Sequence, residues 1–137
     1  MKKLAVALLM IFSLLASCKK TIQQKEEDLV IKAMTSGQWI ITNFVYNNSD
    51  ITADFNNYKF QYYSNKTVEA IKNGTVEKTG TWDGNAATMT TSANFNGATV
   101  PLSLINGSWH IDNNSWTFVI ASQNTGAETK TMRLDKL

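Results

Sequence analysis

The chain has 137 residues, 13 basic and 11 acidic, with four tryptophans, four tyrosines and six phenylalanines. Its single cysteine, Cys18, excludes an internal disulfide, a thiolate zinc site and an iron–sulfur cluster, and its single histidine, His110, leaves little from which to build a transition-metal site or a hydrolytic triad. The positive excess lies in Lys2 and Lys3 and the remainder is balanced, which excludes the basic footprint of a nucleic-acid binder.

Lys2 and Lys3 precede an apolar run, Leu4–Leu14, too short for an ordinary membrane span, so residues 1–17 are expected to be a signal peptide. The following Leu15-Ala16-Ser17-Cys18 resembles the lipobox of bacterial lipoproteins. That resemblance implies cleavage before Cys18, thioether lipidation and palmitate-type acylation of Cys18, and a membrane as partner; stable anchoring takes more than one acyl chain. Lys19 stands where an aspartate would favour retention in the inner membrane, and Lys25-Glu26-Glu27-Asp28 is similar to the Lys-acidic export signal of Bacteroidetes surface lipoproteins. The outer membrane is therefore the expected location, with its face left open. The acidic run also reads as the solvated first turn of a helix.

Residues 18–24 are polar and read as a lipidated tether. A short helix is predicted over Lys25–Thr35, with Glu26, Glu27 and Asp28 at its positive end and Leu29, Val30, Ala33 and Met34 on one face. Gly37 ends it, and it is expected to close one mouth of the domain that follows.

From Trp39 onward no helical period persists. Strands are predicted at Trp39–Tyr46, Asp54–Tyr63, Thr67–Lys72, Val76–Trp82, Thr88–Phe95, Val100–Ile105, Ser108–Asp112, Trp116–Ala121 and Thr129–Leu137. Asn73-Gly74 and Asp83-Gly84 are expected hairpin turns. Alternation marks Phe55, Tyr58, Phe60 and Tyr62 as one face of the second strand, Trp116, Phe118 and Ile120 as one face of the eighth, and Met132 and Leu134 as one face of the last. The expectation is an all-β domain over residues 25–137: a small antiparallel up-and-down barrel of about eight strands, preceded by a short helix.

Gly37-Gln38-Trp39, opening the first strand after a helix, resembles the Gly-x-Trp element of lipocalins, and Arg133 lies in the last strand. Gly80-Thr81-Trp82 and Trp109-His110-Ile111 extend the likeness to the lipocalin-like (calycin-type) lipoproteins common in Bacteroidetes. The resemblance covers residues 37–137; the Thr-Asp-Tyr motif of lipocalins is missing, and the strands are shorter than theirs. It implies barrel closure by Gly37, Trp39 and Arg133, with the guanidinium stacked on the Trp39 indole. It also implies a small apolar or amphipathic ligand.

No nucleophile elbow, phosphate-cradling glycine loop or His-Glu-x-x-His is present, and the acids are scattered, so no enzyme activity, cofactor or metal is expected. Tyr58, Tyr62, Trp82, Trp109 and Trp116 are the candidates to line a ligand site; core packing is the competing account of each. Two functions follow. One is an outer-membrane-anchored carrier or sensor of a small ligand. The other is a protein-interaction module of the cell envelope with a filled barrel. An apolar cavity of a few hundred Å3 would favour the first.

Overall fold

The computed structural model describes residues 2–137, with side chains from Lys19 onward; the side chains of residues 1–18, where the expected signal peptide and lipidation at Cys18 fall, lie outside what it describes. The helix α1 (Lys2–Thr35) is longer than the sequence suggested, because residues 19–24, read as a tether, continue it. Lys19–Thr35 contains neither glycine nor proline and is rich in Lys, Gln and Glu, which lose little rotamer freedom in a helix. The last turn is closed by Thr35 Oγ1 donating to the Ile31 carbonyl at 2.8 Å and Ser36 Oγ to the Ala33 carbonyl at 3.1 Å.

Nine strands follow: β1 (Gln38–Tyr46), β2 (Ser49–Asp50), β3 (Tyr58–Tyr62), β4 (Thr67–Lys72), β5 (Thr75–Asn85), β6 (Thr90–Asn94), β7 (Gly107–Asn114), β8 (Phe118–Asn124) and β9 (Thr129–Lys136). Each pairs antiparallel with its neighbours, and β1 pairs with both β3 and β9, so eight strands close into a barrel. The remaining strand, β2, folds back on the end of β1. The closing seam runs from Trp39 opposite Lys136 to Tyr46 opposite Lys130, with a bulge at Thr42. Closure leaves no long edge to template aggregation. Asn47-Asn48 and Asn73-Gly74 turn with both residues at positive φ, as two-residue hairpin turns require.

Three local expectations are corrected. Asp83-Gly84 is not a turn: β5 runs on to Asn85, and the chain reverses at Ala86–Met89, where Met89 has φ of 51°. Val100–Ile105 is not a strand. Leu102–Ile105 is a 3-10 helix whose three-residue period puts Leu102 and Ile105 on one buried face. Phe55 likewise belongs to a 3-10 helix, Thr52–Phe55, rather than to the second strand.

The inner face of the barrel follows strand parity. Trp39, Ile41, Phe44, Tyr58, Phe60, Tyr62, Val68, Ala70, Trp82, Phe95, Trp109, Ala121, Met132 and Leu134 form the core. In β8 the inward residues are Val119 and Ala121, which face Leu134 and Met132 across the ladder, so the expected inward set Phe118 and Ile120 lies on the outer face. A bulge at Asp112 in β7 accompanies this register.

Candidate functional site

The interior divides along its axis. Because the strands alternate in direction, α1 meets the end formed by the start of β1, the ends of β3, β5 and β9, and the turn between β7 and β8. At the far end the interior is full. The rings of Phe44 and Phe55 stack at 4.9 Å, Phe44 meets Trp109 edge-on at 6.0 Å, and Tyr58 stacks on Phe60 at 6.1 Å. Both 3-10 helices cap that end with Phe55, Leu102 and Ile105 buried. Lys130 is buried there too, its ammonium donating to the Leu104 carbonyl at 3.1 Å and lying 5.6 Å from the Trp109 ring. Burial holds its pKa below the ordinary lysine value.

At the helix end the interior is not full. A cavity of about 230 Å3 lies between α1 and the barrel. The helix supplies Leu29, Val30, Ala33 and Met34; the barrel supplies Trp39, Tyr62, Trp82, Trp109, Met132 and Leu134. The void exists because inward positions of β5 and β6 carry small side chains: Gly84, Thr91 and Ala93. Gly84 also sets the distance to the helix. A Cβ there would stand 3.2 Å from Val30 Cγ1, so a larger residue would push α1 outward. One water needs roughly 10–15 Å3 of such space, so the cavity has room for a small organic molecule.

The deep walls are mostly apolar, Asn85, Thr90, Ser92, Asn114 and Ser115 also border the cavity, and the indole N–H groups of its rings are engaged elsewhere. The indole N–H of Trp39 donates to the Met34 carbonyl at 2.9 Å, that of Trp82 to Tyr63 at 2.9 Å, and that of Trp109 to Ile105 at 2.7 Å. Thr91 Oγ1 donates to the Asp83 carbonyl at 2.9 Å. The one charged residue on the lining is Glu26. No group of three or more His, Cys, Asp and Glu side chains that could hold a metal occurs among the described residues.

Of the residues singled out in the sequence, the cavity gathers Trp39, Tyr62, Trp82 and Trp109. Tyr58 is excluded: it belongs to the full end, where its hydroxyl bonds Glu77 and its pKa is pushed up to about 12, chiefly by burial and then by that carboxylate. Trp116 is excluded as well, being half exposed on the turn between β7 and β8. His110 is an outer-face residue, exposed, 3.9 Å from Asp112.

Barrel closure at Trp39 is achieved by a different cation from the one expected. Lys136, not Arg133, stands over the Trp39 ring, 4.9 Å from its centroid. Its ammonium donates to the Ala33 carbonyl at 2.8 Å and Ser36 Oγ at 2.9 Å, holding the carbonyl end of α1 where the helix dipole favours a cation. Parity is the reason. In β9 Lys130, Met132, Leu134 and Lys136 point inward, and Arg133 falls between them. Arg133 instead lies over Phe118 on the outer face at 4.8 Å and forms a two-pronged pair with Asp135 at 2.8 and 2.9 Å, which holds the Asp135 carboxyl below its usual range. Gly37 does sit at the closure, against the Lys136 stem.

No family model matches the sequence, and no curated protein matches it. Among solved structures, the chain is similar to a DUF4847 family protein from Bacteroides vulgatus at 12% identity. That alignment covers 77% of this chain and 96% of the other, with a TM-score of 0.55. It is also similar to Japanin from Rhipicephalus appendiculatus, a lipocalin solved with cholesterol bound, at 8% identity over 77% of each chain and a TM-score of 0.53. At these identities the likeness is one of fold: the protein is an eight-stranded antiparallel barrel of lipocalin-like type.

Proposed function

We propose that this protein is a lipid-anchored binding protein of the cell envelope that holds a small apolar molecule between α1 and the helix end of the barrel. The observation that carries the reading is the apolar cavity at that end, beside an interior otherwise filled by aromatic rings. A filled barrel would have favoured the protein-interaction alternative. Japanin, which has the same fold, was solved with cholesterol in it, and an apolar ligand here is in keeping with that. The lipobox supports attachment through Cys18, with the outer membrane as the proposed location. Nothing in the sequence supplies the groups for catalysis, and the reading assigns none.

Three tryptophans border the cavity, so ligand entry is read directly by fluorescence. Titration with uncharged amphiphiles should give saturable quenching in the wild type. Ala93→Phe, which puts a ring into the void, should weaken it at least tenfold with the fold intact by circular dichroism. Equal binding by both proteins would remove the cavity from the account. Labelling cells with an alkyne fatty acid tests the anchor: Cys18→Ala should carry no label.

A further inference from the structure

Three of the four tyrosines give their hydroxyl to a carboxylate: Tyr46 to Glu128 at 2.8 Å, Tyr63 to Glu69 at 2.8 Å, and Tyr58 to Glu77. Tyr62 is the exception. It is 7% exposed, and its hydroxyl has no hydrogen-bond partner among the described residues. No fully sealed side-chain polar atom among those residues lacks a partner. The Tyr62 hydroxyl is therefore not sealed, and the residue that carries it lines the cavity. Trp82 meets this ring edge-on, 5.4 Å away at 85°, and fixes its direction. A hydroxyl left unpaired in an apolar wall is costly unless something else satisfies it.

We infer that the Tyr62 hydroxyl is the polar contact for the ligand, and that the ligand is an uncharged apolar molecule with one terminal hydroxyl or carbonyl, not a carboxylate. This rests on the cavity being the binding site. Charge decides against an anion. The charged group on the lining is the Glu26 carboxylate, while Lys136 is not on the lining and already holds the carbonyl end of α1. An anionic headgroup would leave water with no cation to receive it, whereas a neutral hydroxyl loses less hydration and regains a bond from Tyr62. Burial pushes the Tyr62 pKa well above the ordinary tyrosine value, so the phenol remains a neutral donor at physiological pH. The three indole N–H groups, bonded to backbone carbonyls, do not compete for the ligand.

The test uses the purified full chain with three probes of equal length, 1-decanol, 1-bromodecane and decanoate at pH 8, followed by tryptophan fluorescence. The wild type should bind decanol at least tenfold more tightly than decanoate. Tyr62→Phe should weaken decanol about five- to tenfold, the worth of one hydrogen bond, and leave bromodecane unchanged. Without ligand, Tyr62→Phe should melt at the wild-type temperature or above it, since the hydroxyl has no protein partner to lose. If decanol binds Tyr62→Phe as it binds the wild type while Ala93→Phe abolishes binding, the Tyr62 assignment falls and the cavity stands. If decanoate binds as tightly as decanol, the neutral-ligand assignment falls. If no probe binds, the cavity reading itself falls. A markedly lower melting temperature for Tyr62→Phe would reveal a structural partner for the hydroxyl and overturn the inference.

Discussion

At the far end of the barrel two 3-10 helices press Phe55, Leu102 and Ile105 onto stacked rings, and the interior is solid; at the helix end Gly84, Thr91 and Ala93 leave a void that α1 roofs over. Both ends belong to the same strands and the same hydrogen-bonded ladder. What differs is the size of the inward side chains and the kind of cap. A cap made by the chain between two strands is fixed at both its ends. A helix that enters the barrel through Ser36-Gly37 and is latched there by Lys136 and Trp39 has its attachment concentrated at one end. Stability and vacancy can therefore be assigned to opposite ends of one small domain.

The sharpest way to break this comparison is to truncate one large apolar side chain at each end. Phe44→Ala takes a fully buried ring out of contact with Phe55 and Trp109 and should cost about 3–5 kcal/mol. Met34→Ala, on the roof of the void, should cost only about 1–2 kcal/mol, because a side chain that already borders empty space has fewer contacts to lose. Urea unfolding measures both, and equal costs would erase the distinction between the ends.

Next in size is the latch. Lys136→Met keeps the stem but removes the ammonium from the Ala33 carbonyl, from Ser36 and from the Trp39 face, and should cost about 1–2 kcal/mol. A double-mutant cycle should couple Lys136 to Trp39 and leave Arg133 uncoupled from it. Coupling of Arg133 instead would reverse the closure described above.

A third prediction concerns alkaline pH. Tyr58 is raised to about 12 in the fold and Tyr62 is raised further, both mainly by burial, while the unfolded chain ionises near 10. Raised folded-state values mean that this stability is whole below pH 10 and is lost as pH rises through 12. Melting temperatures should fall above pH 10, and less steeply in Tyr62→Phe, where one of these groups is gone. A flat profile in the wild type would contradict the burial of both rings. The smallest effect is expected of Arg133→Ala, whose pair with Asp135 lies on the outer face within reach of solvent screening: the melting temperature should stay within the error of a thermal melt.

Alternation and turn residues made the barrel legible from the sequence: the strand count, the Asn73-Gly74 hairpin and the inward faces of β3 and β9 followed from them. The same alternation contained the correction to Arg133. Met132 and Leu134 define the inner face of β9, which places Lys136 inward and Arg133 outward, and the likeness to a family motif overrode that parity. The site was half legible. Tyr62, Trp82 and Trp109 were singled out as large amphipathic rings, but ring type alone cannot separate them from Tyr58, which fills the plug, or Trp116, which faces solvent. What distinguishes the cavity is the smallness of residues across from the rings. Gly84 looked like a turn because Asp-Gly usually is one; only the pairing of Gly84 with Thr91 reveals it as a wall position.

The roof of the cavity also belongs to a helix that runs on past it. Val30, Ala33 and Met34 touch the void, while residues 19–28 of the same helix are exposed and extend beyond it. Because α1 is one continuous helix, its stretch over the cavity and its remote end are mechanically joined. By thermodynamic linkage the relation is reciprocal: whatever restrains the remote end changes affinity for the occupant, and the occupant changes the freedom of the remote end by the same factor. Amide exchange along Lys19–Asp28 should slow when decanol is bound, in a stretch where, of all the side chains, only Glu26 reaches the cavity lining.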